Sequence, residues 1–152
     1  MFAKNSSNNF NKGSINHNDE LIRFIFNYHY DLTVGKVTES AFQLPHLDKG
    51  LSVSVSRLLN TQTRLLVIQS MENTSSKYIK DCLSFVWEVN SIVHISNQKN
   101  AFDVVLTPVL AVPPHGVANP AHAHIMFSAA TKYSPRSEKK QYRWELMKKF
   151  NI

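Results

Sequence analysis

The clearest pattern in the chain is Leu51-Ser52-Val53-Ser54-Val55-Ser56, where apolar and hydroxyl side chains alternate. A period of two predicts a half-buried strand with Leu51, Val53 and Val55 inward and the serines on the solvent face. Upstream the pattern is divided. Leu21, Ile22, Ile25 and Phe26 sit at helical spacing behind a possible cap at Asn18 or Asp19, while Phe24, Phe26, Tyr28 and Tyr30 alternate as a strand would. A short helix followed by an extended stretch through His29 is expected there. Gly35-Lys36-Val37 marks a turn into Val37–Phe42, and Pro45–Gly50 reads as a loop.

Asn60 or Thr61 is placed to cap a helix reaching about Glu72, with Leu65, Ile68 and Met71 on its packing side, and Asn73-Thr74-Ser75-Ser76 breaks it. Leu83–Val89 is almost continuously apolar, which predicts a central strand. Ser91–Ile95 and Phe102–Leu106 predict two more, separated by a turn at Asn97–Asn100. A Pro-rich loop runs from Thr107 to Pro120, and Ala121–Ser128 resumes as a strand. Ser137 is expected to cap a last helix whose stripe is Tyr142, Leu146, Met147 and Phe150. Of Tyr142 and Trp144, about 200° apart on a helix, at most one belongs to that stripe. Strands do not alternate regularly with helices, so the expectation is an α+β domain over residues 19–152 with a mixed, mostly antiparallel sheet. Residues 1–18, rich in Asn, Ser and Lys, read as a flexible lead-in.

Composition narrows the class. With 152 residues, 43% of them hydrophobic, and nine Phe, there is enough apolar surface for one core. A lone Cys82 excludes an internal disulfide and suits a reducing cytosol, where it reads as a small buried thiol. No stretch approaches the ~18 apolar residues of a membrane span, and no apolar run follows Lys4 as a secretory signal requires. A cytoplasmic protein is expected. The net charge of +6 is uneven: residues 132–152 carry seven of the 17 basic side chains and two of the 11 acidic ones. The chain reads as near-neutral with a basic final helix.

Four chemistries follow from residue type and spacing. His122 and His124, at i and i+2 on a strand, point to one face and offer two imidazoles to a divalent metal, with His115 as a third ligand. Gly116-x5-His122-x-His124 resembles the opening of the cupin metal motif, but no carboxylate follows before Glu138. Ser52, with His29 or His122 as its base and Arg57 nearby, is a candidate for hydroxyl or metal-free RNA-phosphate chemistry, although no G-x-S-x-G turn is present. The four glycines are isolated, so neither a Walker loop for ATP nor a Rossmann-type NAD fingerprint exists. Lys139, Lys140, Arg143, Lys148 and Lys149 share a helix with Tyr142 and Trp144, a pattern that suits phosphate contacts to nucleic acid or an acidic partner.

His29, Gly35-Lys36-Val37-Thr38-Glu39-Ser40-Ala41-Phe42, Gly50-Leu51-Ser52-Val53, Trp87-Glu88-Val89 and Asn119-Pro120-Ala121-His122-Ala123-His124-Ile125, in this order, resemble a family of small bacterial proteins of no assigned activity. The pattern implies His29, Ala41, Phe42, Ser52, Pro120 and His122 as positions of interest over about residues 29–150; His124 falls at a variable place. A histidine, a turn and a serine-bearing strand also resemble ADP-ribosyltransferase-like sites, without a late catalytic glutamate. The leading expectation is a binding or accessory protein that uses the basic helix. The alternatives are a small enzyme centred on His29, Ser52 and His122, and an antitoxin or immunity-type partner.

Overall fold

The computed structural model describes residues 15–26, 29–74, 83–95, 99–109 and 118–149. Its centre is a five-stranded sheet built from β1 (Glu20–Ile25), β4 (Leu51–Val55), β5 (Leu83–Glu88), β8 (Phe102–Leu106) and β9 (His122–Phe127), in the order β5-β1-β4-β9-β8. Every neighbouring pair is antiparallel. Two short hairpins stand beside it, β2 (Tyr30–Asp31) with β3 (Lys36–Val37), and β6 (His94–Ile95) with β7 (Lys99–Asn100). The helices are α1 (Leu44–Lys49), α2 (Thr61–Thr74), α3 (Val89–Val93) and α4 (Arg136–Lys148), with single 3-10 turns at Glu39–Phe42 and Ser56–Leu58. The class is α+β, as expected.

One face of the sheet carries the main core. Leu21, Ile25, Leu51, Val53, Val55, Ile125 and Phe102 point there, covered by Leu44 and Leu47 of α1 and by Tyr142, Leu146 and Met147 of α4. Phe102 and Phe127, opposite each other in the β8–β9 ladder, stack at 5.2 Å. On the other face Ile22 and Phe24 lie under Val67 of α2, with Leu59 and Ile68 at the margin. Before α4, the Thr131 hydroxyl donates to the Ala101 carbonyl at 2.6 Å and the Ser128 hydroxyl to the Asn100 carbonyl at 2.6 Å. These bonds tie the approach of α4 to the start of β8. Lys139 then pairs with Asp48 on α1, and Arg143 with Glu39 on the 3-10 turn.

Several expectations are corrected. Residues 20–25 form a strand, because burial on both faces makes Leu21 and Ile25 face one layer and Ile22 and Phe24 the other. Residues 44–49 are helical, not a loop: Pro45 sits in the first turn, where its missing N–H costs nothing, and Leu44 and Leu47 are buried together. Residues 89–93 are a helical turn, with strand only at His94–Ile95. The apolar run at 83–88 is an edge strand, alternating buried Trp87 with exposed Val86. In α2 the Asn60 cap holds, its Oδ1 accepting from the Thr63 N–H, but Leu65 is exposed and Val67 makes the contact. The N-cap of α4 is Pro135, two residues before the expected Ser137, which lies inside the first turn. Residues 1–14, Met71's side chain, Cys82 and Phe150 lie outside what is described. Among the described residues no helix is long and apolar enough to cross a membrane.

Candidate functional site

β1 and β4 pair over only two positions, Leu21 with Val55 and Ile22 with Ser54. Beyond them β1 follows β5 to Ile25 and β4 follows β9 to Leu51. The two strands part, and a cavity of about 490 Å³ lies at the fork. Arg23 reaches across it, donating from its two terminal nitrogens to the Ser52 carbonyl at 2.9 Å and the Ala41 carbonyl at 3.1 Å. A cation in the middle of an apolar strand is thereby accounted for: its guanidinium supplies donors where the ladder stops.

His29, Ser52 and His122 all line this cavity, so three positions taken from distant parts of the sequence meet at one place. His29 follows β1 and is buried, its Nδ1 accepting the Phe26 N–H at 3.4 Å. Burial, and then electrostatic interaction with Arg23 and His46, lower its pKa to about 4. At neutral pH it is uncharged, and the hydrogen bond at Nδ1 places its proton on Nε2. His122 has the opposite tautomer. Its Nδ1 lies 2.8 Å from the Thr107 carbonyl oxygen, which can only accept, so Nδ1 carries the hydrogen and Nε2 the lone pair.

The ladder places Ser54 opposite His122 and Ser52 opposite His124. Directly opposed residues have Cβ atoms about 5 Å apart, so these pairs share one surface. Ser52 is exposed, but Ser54 is buried, which corrects the solvent-face expectation for the serines. Its Oγ accepts from Asn119 Nδ2 at 3.2 Å, and Asn119 Oδ1 accepts the Ala121 N–H at 3.1 Å. His124 lies edge-on to His122 with ring centroids 4.8 Å apart, and burial and that neighbour lower its pKa. It packs against Gly50, whose φ is +131°; a Cβ there would sit 2.7 Å from the imidazole Cγ.

Arg57 does not join the cavity. It forms a two-pronged ion pair with Asp19, at 2.8 and 2.9 Å. His115 lies outside the described residues, and among those described no group of three or more histidine, cysteine or acidic side chains is placed to hold a metal. The basic helix is partly committed to the fold. Lys139 is held by Asp48 at 2.9 Å and lies over the Phe127 ring, and Arg143 reaches Glu39 at 3.4 Å. Lys140 and Lys149 are exposed, and Lys148 lies 3.6 Å over the ring of the half-exposed Trp144. Tyr142 is the aromatic that enters the core.

Sequence reasoning missed Arg23, His46 and Asn119 as cavity residues. A charge flanked by Ile22 and Phe24 was a usable signal for the first; His46 was hidden by reading 45–50 as a loop. No acidic side chain lines the cavity among the described residues. Comparison with known protein families, with curated proteins and with solved structures gives no match to this chain. The functional argument therefore rests on the residues themselves.

Proposed function

We propose that the protein is a small cytosolic enzyme that binds an anionic phosphate ester at the fork between β1 and β4 and acts on it by acid–base chemistry. The observation that carries this reading is the convergence of His29, Ser52 and His122 on a cavity that also contains Arg23 and no carboxylate among its described lining. Arg23 supplies positive charge for the phosphate. His122, oriented by Thr107, takes a hydroxyl proton on Nε2 as that oxygen attacks phosphorus, and returns it to the departing oxygen. The hydroxyl is one on the substrate, which closes a cyclic ester, or that of Ser52, from which water then displaces the phosphoryl group as His122 takes the water proton and returns it to the serine oxygen. Neutral His29 donates from Nε2 to a phosphate oxygen.

The test is a screen of phosphate mono- and diesters with the full chain, together with His122→Asn and Ser52→Ala. A turnover that falls at least a hundredfold in His122→Asn, with the fold intact, is expected. Turnover unaffected by this substitution, or binding of phosphate esters no weaker in a variant lacking the Arg23 charge, refutes the reading.

A second reading concerns the last helix. The half-exposed Trp144, with Lys148 over its ring and Lys140 and Lys149 nearby in sequence, supports contact with nucleic acid or an acidic partner. Lys139 and Arg143 are held in ion pairs, which leaves Lys140, Lys148 and Lys149 of the five cations expected from sequence without an ion pair among the described residues. Replacing Lys140, Lys148 and Lys149 by Gln is expected to lower the salt slope of oligonucleotide retention by about 2–3. An unchanged slope removes this reading.

A further inference from the structure

The lining of the cavity combines aromatic rings with cationic and polar groups. Phe24 and Phe26 form an aromatic wall, and Phe24 is held from behind by its packing with Ile22 and Val67. Phe26 is only partly buried and its ring stands 5.4 Å from that of His29, tilted by 48°. The same lining holds Arg23, His46, Asn119 and His122. At about 490 Å³ the space is in the range of sites that enclose a whole small molecule, and an inorganic phosphate would leave most of it to water. A ligand that engages both kinds of group has a flat aromatic portion, a phosphate, and a hydrogen-bonding spacer to reach Ser52 and Asn119.

Resting on the reading of the fork as a phosphate-ester site, we propose that its substrate class is the nucleoside monophosphate, with the base against Phe26 and the phosphate toward Arg23 and His46. A stacked base on an aromatic side chain strengthens binding by roughly five- to a hundredfold, so the base and not only the phosphate is read. The spacer between them is a ribose, whose hydroxyls meet the serine hydroxyls and the Asn119 amide.

Calorimetric titration of the full chain with AMP, CMP, ribose 5-phosphate and inorganic phosphate tests this. At least one nucleotide is expected to bind ten or more times tighter than ribose 5-phosphate. Phe26→Leu, which keeps apolar volume but removes the ring, is expected to reduce that preference severalfold while leaving ribose 5-phosphate binding unchanged. His46→Gln, at an exposed position that the fold does not need, is expected to weaken all phosphate ligands together. Equal affinity for the nucleotides and ribose 5-phosphate overturns the nucleotide assignment and leaves the phosphate-ester site standing. So does a Phe26→Leu effect that is the same on every ligand. Absence of binding by all four overturns the underlying site as well.

Discussion

His29→Gln should flatten the acid limb of the stability curve. The wild-type imidazole is only 7% exposed and is held neutral, with a pKa of about 4, by burial and then by electrostatic interaction with Arg23 and His46. In the unfolded chain the same ring titrates near its ordinary value of 6.5. Between those values the unfolded state binds a proton that the native state refuses, so stability rises with pH across the window. The contribution is complete above about pH 6.5, is lost as pH falls toward 4, and levels off below. At about 1.4 kcal/mol per pH unit the whole gap is worth about 3 kcal/mol. Urea unfolding followed by tryptophan emission, at half-unit steps from pH 7.5 to 4, measures it in both proteins. Every other ionisable group is common to the two proteins, so the difference between the curves isolates His29. Wild type is expected to lose about 3 kcal/mol more than the variant over this range. Parallel curves would refute the reasoning, since they mean the ring is hydrated and titrates normally in the fold.

Three further outcomes test the packing around the site. Gly50→Ala places a methyl 2.7 Å from the His124 ring at a φ of +131°, and a loss of about 1–3 kcal/mol is expected by denaturant unfolding. Thr131→Val removes the 2.6 Å hydroxyl donor to the Ala101 carbonyl, which keeps the Ser128 N–H at 3.0 Å, and is expected to cost about 0.5–1.5 kcal/mol, with faster amide exchange at the start of α4. Leu146→Ala, at a fully buried position under the sheet, is expected to cost about 2–5 kcal/mol; a value under 1 would mean that α4 does not pack as described.

The sequence was most legible where one face is apolar and the other polar. Leu51–Val55 alternates cleanly because β4 turns its apolar side to the core. The stripe of Tyr142, Leu146 and Met147 on α4 is similarly one-sided. β1 was obscure for the opposite reason: apolar on both faces and interrupted by Arg23, it carries no period that separates helix from strand. In α1, Pro45 and Gly50 read as loop punctuation, although one begins a helix and the other ends it. Of the site, His29, Ser52 and His122 stood out as reactive types in patterned segments, while Arg57 did not belong. Their company could not be read in advance, because the pairing of β4 with β9 and the fork beside β1 are set by tertiary packing, not by local propensity.

The parting of β1 from β4 also divides the sheet into a pair and a trio of strands. β5 and β1 are joined over six positions, and β4, β9 and β8 form their own continuous ladders, yet only two positions and the Arg23 clasp connect the two groups within the sheet. In cooperative terms these are two units that share a core, and the seam between them is where native-state exchange should open first. An occupant of the fork would then act as a weld, transmitting protection from one unit to the other.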